Sequence, residues 1–447
     1  MASHDLSKHR VLKHPLPTQK VKSGSQIVAV NDKHSHFSVS HNIWDQYSPL
    51  GQAPNIMNTA TSRVEFQVFS SRINQVKQVL LEIPITNNSA TDALELISPY
   101  FFCSLIEILV DNNSEQEIYG EGQLMAHRMM TDEQTLVLTR FSNLLNPDTI
   151  TGRDVAGANP ITIAPGATRY IYLPINNTLF EQTKVPFANI KSTIRFRFTF
   201  DVFGNVTAST NTMIVPGNLS VGGVQLYIIG SAVSKAGSDE IITLLLENDY
   251  SGNYYKQERQ VINNGNTLPG NRPKQSLTNL NGTYANIIIM LRALNPTQEN
   301  QYQWKFSAPT YNPNRYQISA LTLNDSNGTP YSQNSLGYFL SKWQDSLITG
   351  AGNEGSNYST FSDKFAFVSY NLSDNSWSEV RAGYGGGVSI NNAWSIEYTI
   401  GGQGPYLSPF AVSAFPVLGE QTETCIIADR LYSIYLNKEG KLRCMAQ

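Results

Sequence analysis

The chain has 447 residues, of which 40% are hydrophobic and only 15% charged, and its net charge is −3. That length exceeds one ordinary core and suits two domains of roughly 200 residues each. A charged share well below the usual figure of about 25% fits a subunit that hides surface against neighbours, or one solvated by Asn- and Ser-rich loops.

No apolar run approaches about 18 residues, and no apolar stretch follows a basic start, so neither a membrane span nor a standard secretion signal is expected. Three widely spaced cysteines, Cys103, Cys425 and Cys444, form no disulfide framework and suggest a reduced, intracellular setting.

Residues 1–41 carry Lys8, Arg10, Lys13, Lys20, Lys22 and Lys33 against Asp5 and Asp32, together with His4, His9, His14, His34, His36 and His41. A basic stretch of this kind touches nucleic acid, an anionic membrane or an acidic neighbour, or is a solvated terminus. We set off residues 1–55 as an N-terminal arm.

Short β-type runs follow at 64–69, 79–83, 105–110, 170–173, 194–200 and 224–229, separated by turn residues. The run at 194–200 alternates strictly between apolar and polar residues, which places one face in a core. Between 122 and 147, helix-forming residues and the capping-box spacing of Thr131 to Gln134 predict one or two inserted helices.

The second half repeats the plan, with strand runs at 287–291, 316–323, 365–368, 394–400 and 431–436. Leu336, Phe339, Leu340, Trp343 and Leu347 fall on one face of a helix. In both halves a strand, an Asn/Asp turn and a tyrosine, Tyr119 or Tyr331, lead into a predicted helix. The offset between the halves is about 213 residues at that point, about 200 at the alternating strands of Ile194 and Trp394, and about 207 at the strands of Val224 and Leu431. A near-constant offset in order is the mark of a duplicated domain. The predicted division is 1–55, 56–235 and 236–447.

Catalytic signatures are missing. There is no G-x-S-x-G elbow, no phosphate-binding G-x-x-x-x-G-K-[ST] loop and no H-E-x-x-H helix, and His127 is the single histidine outside the arm. Asp111, Asn112, Asn113 and Glu115, like Asn324 and Asp325, gather oxygens of the kind Ca²⁺ accepts, but these are also the ordinary residues of tight turns. The reading is non-enzymatic, with no cofactor and no metal.

Two consecutive sandwiches behind a polar arm, each with the strand, Asn/Asp turn, tyrosine and helix just described, resemble the double jelly-roll major capsid proteins of icosahedral viruses. The resemblance covers the chain from about residue 55 and lies in architecture and order, not in a diagnostic motif. It implies an all-β fold of two tandem eight-stranded jelly-roll sandwiches with short inserted helices. It further implies homotrimeric, pseudo-hexameric capsomers that tile an icosahedral shell in the virion, assembled inside the host cell.

The partners implied are other copies of the chain and neighbouring capsomers, minor capsid or penton proteins, and, through the arm, an internal viral membrane or the genome. Lys8, Arg10, Lys13, Lys20 and Lys22 are then candidate membrane or inner-shell contacts. Loops at 263–281, at 350–359 and around Gly385-Gly386-Gly387 are candidate tower and inter-capsomer contacts. The alternative is a tandem-sandwich viral spike or carbohydrate-binding attachment protein, with Trp304, Trp377 and Tyr384 stacking on sugar rings.

Overall fold

The computed structural model describes residues 42–51, 62–96, 99–123, 161–201, 207–209, 219–266, 274–293, 318–332, 367–372, 387–400 and 421–447. The first half contains β1 (Asn42–Tyr47), β2 (Ser62–Val68), β3 (Gln75–Asn87), β4 (Leu94–Leu96), β5 (Cys103–Val110), β6 (Asn113–Tyr119), β7 (Ile161–Ile163), β8 (Thr168–Ile175), β9 (Ile194–Phe200), β10 (Thr207–Ser209), β11 (Leu219–Val221) and β12 (Gln225–Ser231). The second contains β13 (Tyr250–Asn266), β14 (Lys274–Ser276), β15 (Gly282–Ala293), β16 (Ile318–Asn324), β17 (Pro330–Ser332), β18 (Phe367–Asn371), β19 (Val388–Ile390), β20 (Ser395–Ile400), β21 (Gln421–Leu436) and β22 (Leu442–Ala446). Between them lies the helix α1 (Lys235–Glu247).

In the first half one sheet runs β1-β12-β3-β8, with β11 beside the far end of β3, and the other runs β2-β9-β5-β6. A small sheet, β10-β4-β7, extends the fold. In the second half the corresponding sheets are β13-β21-β15-β18, with β19 and β22 added, and β14-β20-β16-β17. Leaving out β4, β7, β10, β11, β19 and β22, each half places its first, eighth, third and sixth strands in one sheet. Its second, seventh, fourth and fifth strands make the other. That is the double Greek-key order of a jelly roll, repeated without change.

The pairs matched by the sequence offsets, β5 with β16, β6 with β17, β9 with β20 and β12 with β21, occupy equivalent places. The chain is therefore all-β, built of two tandem jelly rolls.

Local chemistry explains the elements. β9 buries Ile194, Phe196, Phe198 and Phe200 and turns Arg195, Arg197 and Thr199 outward, as period-two alternation requires. On the outer face Arg197 joins the carboxylates of its two neighbouring strands, Glu65 at 2.6 Å and Glu107 at 3.4 Å, while Phe66 and Phe198 meet edge-on inside. The β5–β6 hairpin turns on Asp111 and Asn112, both at positive φ (49° and 71°), a conformation that Asn and Asp tolerate better than other side chains.

The first sandwich takes in residues back to Asn42, inside the span assigned to the arm. β1 pairs with β12 from Asn42 opposite Ser231 to Tyr47 opposite Leu226. Its six residues carry too little apolar patterning to announce a strand, and the pairing comes from the open edge of β12. Residues 1–41, and with them Lys8, Arg10, Lys13, Lys20 and Lys22, lie outside the described residues.

The helix α1 was not foreseen. Ser234 caps it by accepting from Gly237 N at 3.2 Å, and Ile241 and Leu245 are buried while Ile242 and Leu246 face out. Of the inserted helices that were foreseen, the structure describes only a helical start at 120–123. The remainder of that stretch, with His127, and the helix at 336–347 lie outside the described residues.

Candidate functional site

Among the described residues, no group of three His, Cys, Asp or Glu side chains is placed to hold a metal ion. The Asp111 turn spends an oxygen on Thr193 N at 2.8 Å, and Asp325 accepts from Asn327 N and Thr329 N at 2.9 and 2.8 Å, so both act as turn-forming residues. Trp304, Trp377 and Tyr384 lie outside the described residues. The most elaborated polar chemistry belongs instead to the seam where the two sandwiches meet.

The seam begins with a strand edge. β13 is the outer strand of its sheet, so its outward N–H and C=O groups need partners from elsewhere. The first sandwich supplies them with side chains. Thr178 Oγ1 donates to Tyr255 O at 2.8 Å and accepts from Tyr255 N at 3.1 Å, and Gln116 Nε2 donates to Tyr255 O at 3.1 Å. Thr178 opens a single π-type turn, Thr178–Gln182, fixed by Asn177 Oδ1 accepting from Phe180 N at 3.1 Å. Gln116 steadies the same turn by accepting from Leu179 N at 3.1 Å. Two side chains thus stand in for a missing strand.

Ion pairs flank this contact. Lys256 reaches Glu117 at 3.0 Å and donates to Ser114 O at 2.9 Å. Arg259 pairs with Glu121 at 3.0 Å, lies over the Tyr119 ring at 5.3 Å from its centre and touches Cys425 Sγ at 3.4 Å. Gln257 accepts from Tyr119 N at 2.8 Å, and a Cβ on Gly122 would collide with its amide, so a larger residue there would have to displace this side chain from its hydrogen bond. Tyr254 and Tyr250 hydroxyls donate to Glu115 O and Thr183 O across the seam, and burial pushes both phenols well above their ordinary range.

A second clamp comes from the hairpin of β21 and β22. Gly440, at φ +81°, accepts through its carbonyl from Lys191 N at 2.8 Å, and Ser192 Oγ accepts from Leu442 N at 3.1 Å. A side chain on Gly440 would come within 2.7 Å of Asn189 O. Beneath the polar contacts, Tyr250, Tyr254, Ile288, Cys425, Ile427, Ile434, Leu436 and Leu442 join the core of the first sandwich as one continuous apolar cluster. The pair is thus joined through a shared core, unlike the looser contact usual between domains of one chain.

Outside the seam, several large apolar side chains face solvent. Trp44 on β1 is 59% exposed and leans on Tyr227 with ring centres 5.9 Å apart, and Tyr170 on β8 and Phe69 just beyond β2 are also exposed.

Of the residues the sequence singled out, Glu115 and Tyr119 fall in this seam, Glu115 through its carbonyl and not as an ion ligand, while the candidate contact residues of the arm lie outside the described residues. The seam itself went unseen because Gln116, Thr178 and Gln257 carry no pattern of their own, and each matters only through a partner more than sixty residues away.

Comparison with known proteins gives no matching family model and no matching curated protein. Solved structures do match, over nearly the whole chain. The chain aligns with "PBCV-1 virus capsid, quasi-atomic model" at a TM-score of 0.60 and 11% identity, covering 91% of this chain and 97% of that one. "Faustovirus major capsid protein" aligns at 0.57 and 10% identity, with 89% and 90% covered. The mavirus major capsid protein aligns at 0.51 and 12% identity, with 90% of both chains covered. The chain has their fold, the double jelly roll.

Proposed function

We propose that this chain is a major capsid protein, a virion coat subunit whose work is self-association and not catalysis. The observation that carries the reading is the repeated jelly-roll order in both halves, held by a seam that fixes one sandwich against the other. The likeness in fold to the PBCV-1, Faustovirus and mavirus capsid structures supports it.

The logic is geometric. Three copies of a two-sandwich chain place six similar blocks about one axis, and a three-fold ring closes with a single kind of heterologous contact. Such a block serves a lattice only if its two halves keep a fixed angle, which the shared apolar cluster and the side-chain edge contacts impose. We assign the exposed aromatic face around Trp44 and Tyr170 to contacts between copies, and the basic residues Lys8, Arg10, Lys13, Lys20 and Lys22 to an anionic inner surface, lipid or genome. Minor capsid or penton proteins are further partners in this reading.

Light scattering coupled to size exclusion, run at two concentrations, tests it. A species of three chains that persists on dilution is the expected result. A monomer that forms neither trimers nor lattices at any concentration, alone or with the virus's other coat proteins, would overturn the reading. Removing residues 1–41 is expected to leave both sandwiches folded while shells fail to close.

A further inference from the structure

A polar row crosses the inner sheet of the second sandwich in register. Gln257 on β13 stands opposite Asp429 on β21, and Asp429 stands opposite Asn286 on β15. All three are buried, Asp429 to 3% exposure. Their neighbours show which way the row faces. Ile427 and Ile288 belong to the cluster shared with the first sandwich, while Ala428, Ile426 and Ile287 fill the second sandwich's own core. By alternation Asp429 points into the seam.

Its surroundings suit a neutral carboxyl. Gln257 already gives its carbonyl oxygen to Tyr119 N. Burial raises the carboxyl and outweighs the side chains of Gln257 and, after it, Asn286, which both favour the ionised form; neither amide atom of Asn286 reaches hydrogen-bond geometry, and Asp429 Oδ2 has no hydrogen-bond partner. The cations of the seam are engaged elsewhere: from β13, Arg259 pairs with Glu121 and Lys256 with Glu117, both carboxylates belonging to the first sandwich. Arg430, next in the chain, pairs with Glu258. From β13 the Tyr255 phenol feels the Asp429 charge and is itself held neutral by burial. Across the seam Tyr119 likewise titrates far above the neutral range. An ionised carboxylate sealed in such a place is costly, and keeping the proton removes the cost. Burial accordingly pushes the Asp429 carboxyl up to about 7.

We propose that Asp429 is a proton-operated latch on the seam: with its proton on, the row Gln257, Asp429, Asn286 closes; with it off, an unmatched charge sits between the sandwiches and the seam opens more often. The sign follows from linkage. In an opened seam the hydrated carboxyl returns to its ordinary range near about 4, whereas the closed seam holds the proton up to about 7. Opening therefore increases by about tenfold per pH unit between about pH 4 and about pH 7 and levels off above. The latch is tight in mild acid and loosest from neutrality upward, and it does not depend on the capsid reading.

Hydrogen exchange on the full chain from about pH 5 to about pH 8 tests it. Exchange of peptides from β13 and β21 is divided by that of β2 and β9, so that the chemical dependence of exchange on pH cancels. The ratio is expected to climb by about tenfold per unit and then flatten near about pH 7, and to stay level throughout in Asp429→Asn. A level ratio in the unmodified protein, or the same rise in Asp429→Asn, would overturn the proposal. Should that variant fail to fold, the unmodified protein still decides, because a ratio still rising through about pH 8 is incompatible with a carboxyl that has finished titrating.

Discussion

The strand β9 in the first sandwich and the strand β15 in the second meet burial differently. β9 buries every other residue and spends two of the alternate ones, Arg195 and Arg197, on ion pairs on its outer face. β15 has both faces covered: Ile287 and Ile289 pack into its own sandwich, and Ile288 packs into the neighbour's core. The first sandwich is therefore a two-sheet body with solvent on its outer faces. The second lends its inner sheet to both cores, so that sheet becomes a middle layer, and its unbroken apolar run reports the number of covered faces more than the type of sheet.

Substitutions can break or sharpen that contrast. The largest effect is expected from Phe198→Ala, which empties a fully buried site in the first core and should cost about 3–5 kcal/mol, read as a lowered denaturant midpoint. Ile427→Ala should cost about 2–4 kcal/mol, but its signature differs: because the side chain serves the shared cluster, the two sandwiches should begin to unfold in separate calorimetric steps.

Glu121→Gln leaves Arg259 without its charge partner and should cost about 1–3 kcal/mol, with the change in hydrogen exchange confined to β6 and β13. Smallest is Arg72→Ala at the rim beside β1. Its side chain, paired with Asp45, is 63% exposed, so less than about 1 kcal/mol is expected in thermal melts.

The fold was legible in the sequence where one face of a strand is apolar and the other polar, or where a run is apolar throughout. β2, β5, β8, β9, β12 and β16 all announced themselves in that way, and the spacing between halves identified equivalent strands. β13 stayed hidden although much of it is buried. Its middle reads Lys256, Gln257, Glu258, Arg259, Gln260, a string that looks like a solvated loop. It is buried because Lys256, Glu258 and Arg259 each find an opposite charge, in β6, in β21 and at Glu121. Pairing of that kind depends on residues distant in the chain and leaves no local periodicity. The seam was illegible for the same reason. The charged arm was conspicuous, and its residues lie outside the described structure.

The clamp at Gly440 has a consequence for synthesis. The first sandwich has all eight of its principal strands once residue 231 has left the ribosome and can collapse around its own phenylalanines. The part of its contact surface that meets the β21–β22 hairpin then waits, exposed, until that hairpin emerges about two hundred residues later. Ser192 and Lys191 meet their partners, Leu442 and Gly440, only then. A nascent chain without that hairpin thus carries an open flank, and the late hairpin is the step that locks the second sandwich onto a first one already folded.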